Sequence, residues 1–145
     1  HKLPAPIAAY DLRPDAVRIA RGNAERAGVA ELIHWDARPW ANMRRSNILP
    51  GQNPATGVIV MNPPYGERLG VTSELSELYE SIGSQLKHEF TGFQAWVLAS
   101  DPELVKYIGL KPTRRIPLFN GALECRLLRF DSYAGSRKNS SLENE

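Results

Sequence analysis

Short apolar runs alternate with amphipathic segments along most of this chain, and that alternation constrains its fold more than any other feature. The apolar runs predict strands over 5–11, 31–35, 57–61 and 93–99. Apolar residues at helical spacing predict helices over 14–27, 73–90 and 102–109. Strands and helices that alternate in this way are typical of a Rossmann-like α/β sheet.

A hairpin signal closes the pattern. The pair Asn120-Gly121 lies between the strand-like segments 111–119 and 122–130, and Asn-Gly is the strongest short-range hairpin signal. We therefore expect an α/β sheet that ends in a C-terminal antiparallel hairpin with a reversed edge strand. From Ser132 onward the chain is rich in Ser, Gly, Asn and charge, which predicts a domain over 1–131 and a disordered tail or linker over 132–145.

The composition indicates one domain in a reducing compartment. A chain of 145 residues is long enough to bury a proper core. Its apolar runs fall short of the roughly 20 residues that a membrane-spanning helix needs, and its first residues lack a signal-peptide pattern. The single cysteine, Cys125, excludes an intramolecular disulfide and lies in a strand-like run, so we expect it to be buried as a small hydrophobe. These features favour a cytoplasmic protein without a membrane partner.

The segment with the clearest chemical meaning follows the predicted strand 57–61. It consists of Asn62, Pro63, Pro64 and Tyr65. The two prolines fix φ and remove two backbone donors, so they stiffen the loop and leave carbonyl groups free to accept. Asn62 adds a side-chain carbonyl and Tyr65 adds a ring face. Such a loop suits an exocyclic amino group on a nucleobase; the competing interpretation is an ordinary proline-rich turn that ends at Gly66.

Three segments resemble one family of enzymes. Asn-Pro-Pro-Tyr-Gly-Glu-Arg-Leu at 62–69 is similar to the RlmL-type guanine-N2 methyltransferases of ribosomal RNA, which use S-adenosylmethionine (SAM). Leu-Phe-Asn-Gly-Ala-Leu-Glu-Cys-Arg-Leu-Leu at 118–128 resembles the C-terminal hairpin of that family. Tyr-Asp-Leu-Arg-Pro at 10–14, leading into Ala-Arg-Gly-Asn-Ala at 20–24, resembles its second strand and following helix. The three matches occur in the expected order.

The resemblance implies a class I methyltransferase fold and SAM as cofactor. The reaction it implies is methylation of the exocyclic N2 of a guanosine in 23S ribosomal RNA. Alternative functions are a tRNA guanine-N2 methyltransferase, a DNA adenine-N6 methyltransferase, because Asn-Pro-Pro-Tyr serves both chemistries, and a non-catalytic RNA-binding scaffold. His34 and His88 show no metal-ligand spacing, so no metal is expected.

The resemblance also assigns substrate-binding residues. Asn62 and the carbonyl of Pro63 would accept the two N–H groups of the guanine amine, while Tyr65 would stack on the base. Arg68, with its neighbour Glu67, would organise the loop or contact the substrate. Asn120 and Gly121 would frame the target pocket, although a hairpin turn alone also accounts for them.

Two acids are candidates for binding the cofactor. Asp11 stands at the carboxyl end of a predicted strand, where open α/β sheets bind ligands, and its carboxylate would accept both ribose hydroxyls. Its competing role is to cap the helix that begins at Pro14. Asp36 would accept the adenine amino group, or this contact is absent, because the flanking residues align the acid of the family with Pro39.

The glycine-rich SAM loop and first strand of the family do not precede Asp11 in this sequence. In the expected fold that strand lies between 5–11 and 57–61, so we expect these two strands to pair directly or the chain to associate with a second copy. We also expect the chain alone to bind SAM very weakly, which calorimetry would test. Full-length members of the family carry an N-terminal THUMP domain that binds RNA.

The net charge of +2 is a weak bias toward RNA. Basic pairs occur at Arg44-Arg45, Arg114-Arg115 and Arg137-Lys138, and pairs this short are usually solvated surface. We therefore expect most of the affinity for ribosomal RNA to come from another domain.

Overall fold

The structure, a computed structural model, describes residues 2–66 and 71–133. The chain divides into two compact units, His1–Pro54 and Ala55–Glu145. Among the described residues, no helix has the length and apolar character that crossing a membrane requires.

The first unit is a βαβ element. Strand β1 (Ile7–Asp11) leads into helix α1 (Pro14–Arg26), and strand β2 (Ile33–Ala37) returns parallel to β1. Pro14 and Asp15 occupy the first turn of α1, where a fixed φ and a negative charge both favour the helix. Gly28 follows the helix with φ of 73°, so it ends the helix as the sequence predicts.

The second unit holds a four-stranded sheet. Its elements are β3 (Gly57–Met61), α2 (Ser73–His88), β4 (Phe93–Ala99), α3 (Pro102–Lys106), β5 (Arg114–Asn120) and β6 (Leu123–Asp131). The strand order is β3-β4-β6-β5; β3 and β4 are parallel, and β6 is antiparallel to both of its neighbours.

The predicted reversed edge strand is wrong in its position. The reversed strand is β6, which lies inside the sheet between β4 and β5, and the edge strand is β5. The reason lies in the side chains, because β6 buries Cys125, Leu128 and Phe130 whereas the residues of β5 are exposed or half-buried. The expectation that Cys125 is buried is confirmed.

Only one face of β4 belongs to the tightly packed core. Phe93, Ala95, Val97 and Ala99 are buried, and the residues between them are half-buried. The apolar run 93–99 predicts a strand buried on both faces, and that prediction is wrong. Helix α2 contributes Tyr79, Ile82 and Leu86 to the same core.

The turn of the hairpin is shifted by one residue from the predicted pair. Asn120 pairs with Leu123, so the two turn residues are Gly121 and Ala122. Gly121 has φ of 64° and Ala122 a negative φ, which is the sign pattern of a type II′ turn with glycine in the first position.

The strands form two separate sheets in the part of the chain that the structure describes. The predicted direct pairing of the first strand with the strand at 57–61 is therefore wrong. At the other end, Ser132, where the predicted tail begins, is buried, and its backbone N–H donates to the carbonyl of Phe93 at 3.2 Å. Residues 134–145 lie outside the described residues.

Candidate functional site

The Asn-Pro-Pro-Tyr loop leaves the carboxyl end of β3, as the sequence predicts. Asn62 is exposed, Pro63 is buried, and Tyr65 is half-buried. A buried side chain fixes the loop from below, because the hydroxyl of Tyr79 in α2 donates to the carbonyl oxygen of Pro64 at 3.1 Å. The loop is therefore held by its backbone and presents Asn62 to the solvent.

Tyr79 remains a hydrogen-bond donor far into the alkaline range. Its side chain is almost fully buried. That burial, together with the nearby negative charge of Asp101, raises the pKa of Tyr79 to about 12. The bond to Pro64 therefore persists at every physiological pH.

Replacing Tyr79 by phenylalanine removes this donor and leaves the ring. We expect the variant to lose about 1 kcal/mol of stability near neutral pH, because the carbonyl of Pro64 loses its partner. Between pH 10 and about 12 the unfolded wild-type chain releases the phenolic proton before the folded chain does. The wild type should lose stability across that window and Tyr79→Phe should not. Denaturant unfolding at several pH values measures both effects.

Tyr107→Phe is the matched control, because Tyr107 is 41% exposed. It should leave the stability unchanged near neutral pH and keep the alkaline loss. If Tyr79→Phe showed the same alkaline loss as the wild type, the buried phenol would not be its source.

An open depression of about 560 Å³ lies beside the loop in the second unit. It is bordered by three segments that come together at the carboxyl ends of β3 and β4 and at the hairpin turn. The lining residues are Tyr65, Gly66, Ser100, Asp101, Pro102, Asn120, Ala122 and Leu123. An aromatic ring, a carboxylate and an amide on one rim suit a planar polar group such as a nucleobase.

The structure brings together only some of the residues predicted to bind the substrate. Tyr65 and Asn120 line the depression, whereas Asn62, Pro63, Pro64 and Gly121 are not among the lining residues. Asn62 stands at the start of the same short loop as Tyr65. Arg68 lies outside the described residues.

Sequence reasoning missed Ser100 and Asp101. Both follow the carboxyl end of β4, directly beside β3 in a parallel pair, and this is the position that singled out Asp11. One carboxylate oxygen of Asp101 accepts the backbone N–H of Glu103 at 2.9 Å, which orients the side chain. The hydroxyl oxygen of Ser100 is buried and has no hydrogen-bond partner in the described part of the chain.

The two acids predicted to bind the cofactor belong to the first unit. Tyr10 pairs with Asp36 and Asp11 pairs with Ala37, so the side chains of Asp11 and Asp36 point to opposite faces of the two-stranded sheet. One carboxylate oxygen of Asp11 accepts the backbone N–H of Arg13 at 2.9 Å, and the side chain is exposed.

Asp36 is already engaged in contacts with its own strand end. One carboxylate oxygen accepts the N–H of Ala37, and the other lies 2.9 Å from the guanidinium of Arg38. Arg38 also donates to the carbonyl of Asn47 at 2.8 Å and stacks over the ring of Tyr10. A ligand at Asp36 would have to share the carboxylate with this arginine, whereas Asp11 offers its second oxygen directly. Within residues 2–66 and 71–133, no cluster of His, Cys, Asp or Glu could hold a metal ion.

A comparison with protein families matches residues 1–129 to the family described as "RMKL-like, methyltransferase domain". Two relatives are named "Ribosomal RNA large subunit methyltransferase K/L". The protein from Allochromatium vinosum is 46% identical over 121 residues, which cover 83% of this chain and 16% of the relative. The protein from Syntrophotalea carbinolica is 43% identical over 122 residues, which cover 84% of this chain and 17% of the relative. The chain thus spans about a sixth of the length of these relatives.

Solved structures share the fold. SMU.472, assigned as a methyltransferase and solved in complex with SAH, has a TM-score of 0.75 at 25% identity and covers 90% of this chain and 32% of its own. A predicted N6-adenine-specific DNA methylase from Listeria monocytogenes has a TM-score of 0.69 at 28% identity and covers 90% and 30%.

Proposed function

The chain belongs to the family of RMKL-like methyltransferase domains, and we propose that it is the substrate-binding part of a SAM-dependent methyltransferase that acts on the exocyclic N2 of a guanosine in 23S ribosomal RNA. The single observation that carries the proposal is the Asn-Pro-Pro-Tyr loop. Its backbone is fixed by buried Tyr79, and its Tyr65 borders a polar depression wide enough for a base.

The loop holds the amine through two acceptors. The side-chain carbonyl of Asn62 and the backbone carbonyl of Pro63 accept the two N–H groups of the guanine amine. These bonds draw electron density toward the nitrogen, and its lone pair turns toward the methyl group of the donor. Most of the acceleration comes from this positioning, which can lower a barrier by several kcal/mol.

Bound SAM supplies a methyl group on a positively charged sulfur. The amine nitrogen forms a bond to that carbon as the bond from carbon to sulfur breaks. The nitrogen then loses one proton to water or to one of the two loop oxygens. The chain needs no strong base for this last step, because the amine becomes acidic once it is methylated.

Asp11 fits the nucleoside part of the cofactor. It is exposed at the carboxyl end of a parallel strand, and the backbone N–H of Arg13 holds one of its oxygens, so the other can accept ribose hydroxyls. We propose Asp36 for the adenine amino group, in competition with Arg38. SAH in the related SMU.472 supports the cofactor assignment.

A second function, methylation of the adenine N6 in DNA, is favoured by the name of the Listeria monocytogenes protein. The amine of adenine presents the same two N–H groups to Asn62 and Pro63. The names of the relatives at 43–46% identity favour ribosomal RNA. For the complete protein we further propose a cytoplasmic location and an N-terminal THUMP domain that supplies most of the RNA affinity.

Labelled SAM distinguishes these functions. The complete gene product is incubated with unmodified large-subunit ribosomal RNA, tRNA or DNA, and the labelled nucleoside is identified. The proposal expects N2-methylguanosine in the ribosomal RNA alone. Label recovered as N6-methyladenine in DNA, or confined to tRNA, would overturn it.

A further inference from the structure

We infer that one face of the β5–β6 hairpin binds the single-stranded RNA that flanks the modified nucleotide. This hairpin face consists of Arg115 and Phe119 on β5 and Arg126 on β6. The inference rests on the proposed function, because it takes the depression beside Tyr65 as the place where the nucleotide enters.

The register of the hairpin places these side chains on one side. Arg115 pairs with Leu128, Pro117 with Arg126, and Phe119 with Glu124. Residues directly opposite each other in an antiparallel pair share a face, and so do alternate residues along a strand. Arg115, Phe119 and Arg126 therefore point to the same side of the sheet.

The exposure of Phe119 is the first sign of a partner. Its side chain is 72% exposed, although a phenylalanine is among the residues most often buried. The ring stands on a rigid strand next to the turn, so its orientation is fixed before any partner arrives. A fixed, exposed aromatic ring is the usual stacking platform for a base in single-stranded RNA, whatever the sequence of that RNA.

The charges on the hairpin face select a nucleic acid rather than an apolar peptide. Arg115 and Arg126 are exposed, and neither forms an ion pair with another described residue. Their guanidinium groups can each bind a phosphate through two N–H donors. Arg115 is four residues from Phe119, so at a strand rise of about 3.3 Å per residue the arginine lies about 13 Å from the ring. Glu124, opposite Phe119, adds a carboxylate that weakens the attraction.

The hairpin face is continuous with the rim of the depression. Phe119 immediately precedes Asn120, which lines the depression. Arg126 pairs across the sheet with Ala99, the residue before Ser100, which lines it as well. An RNA strand whose nucleotide reaches the depression therefore passes over Phe119 and the two arginines. The turn and the hairpin thus act as a guide for the neighbouring nucleotides.

The test measures binding of a single-stranded oligoribonucleotide of about ten nucleotides with a central guanosine. Fluorescence anisotropy with the complete gene product gives the Kd at several salt concentrations. Phe119→Ala should weaken binding about tenfold without changing the salt dependence, because it removes stacking alone. Arg115→Ala and Arg126→Ala should each weaken binding and lower the slope of log K against log salt by about 0.7. Glu124→Gln should strengthen binding.

The opposite face of the same strand provides matched controls. Arg114 and Leu118 are exposed neighbours on that face, so Arg114→Ala and Leu118→Ala should leave the Kd and its slope unchanged. Equal losses in the controls and the test variants, or no loss in any of them, would overturn the inference. A parallel assay of methyl transfer separates the two proposals. If the hairpin variants weaken binding while no guanosine is methylated, the hairpin face stands and the proposed function fails.

Discussion

Replacing Asn62 by alanine should lower the rate of methyl transfer by about 10³-fold and leave the affinity for SAM unchanged. Asn62 is exposed at the end of β3, and its proposed role is to accept one N–H of the target amine. The variant therefore loses an interaction that holds the nitrogen in line with the methyl group. Single-turnover methylation of ribosomal RNA measures the rate, and calorimetry with the complete gene product measures the affinity for SAM.

The first control for this prediction is another exposed asparagine. Asn53 lies in a loop of the first unit and has no proposed role, so Asn53→Ala should keep the wild-type rate. The second control is the unfolding midpoint, which Asn62→Ala should leave close to the wild-type value because Asn62 is outside the core. Near-normal turnover in Asn62→Ala would remove the loop from the mechanism. A parallel loss of SAM affinity would instead assign Asn62 to the cofactor.

Replacing Gly83 by alanine should destabilise the second unit by about 3 kcal/mol or more. Gly83 is buried in α2, and a Cβ added there would lie 1.7 Å from the backbone carbonyl oxygen of Ile108. A backbone atom cannot swing aside as the end of a flexible side chain can. Helix α2 would have to move away from the segment that follows α3, and the core around Leu86 and Leu104 would open. Urea unfolding measures the loss of stability.

A second helical glycine provides the matched control. Gly22 lies in α1, and a Cβ there would meet only the guanidinium of Arg26 at 3.8 Å. Gly22→Ala should therefore stabilise the protein by up to about 1 kcal/mol, because alanine favours a helix more than glycine does. If Gly83→Ala were as well tolerated as Gly22→Ala, α2 and the residues around Ile108 would not pack as closely as the structure shows.

Much of the fold follows from local patterns in the sequence. The bounds of β3 and β4 and the start of every helix agree with the sequence prediction, because prolines, caps and glycines act on their own neighbours. The position of β6 inside the sheet could not be predicted in the same way. It depends on pairing between residues that are far apart in sequence, such as Val97 with Leu128. The exposure of one face of β4 likewise depends on which elements cover it, and an apolar run alone carries no such information.

The candidate site shows the same division. Tyr65 and Asn120 belong to motifs that can be recognised in the sequence, and both line the depression. Asp101 belongs to no motif, and only its position after β4 distinguishes it. Tyr79 occurs in an amphipathic helix where the pattern explains it as a core residue. Its bond to Pro64 depends on the packing of α2 against the loop, which only a structure reveals.

Nucleoside analysis of ribosomal RNA tests the central claim most directly. Large-subunit RNA is isolated from a strain that lacks the gene and from the same strain complemented with the wild-type gene or with Asn62→Ala. Mass spectrometry then quantifies N2-methylguanosine in each sample. We predict that one N2-methylguanosine disappears on deletion, that the wild-type gene restores it, and that Asn62→Ala does not. An unchanged content of N2-methylguanosine in all three strains would contradict the account.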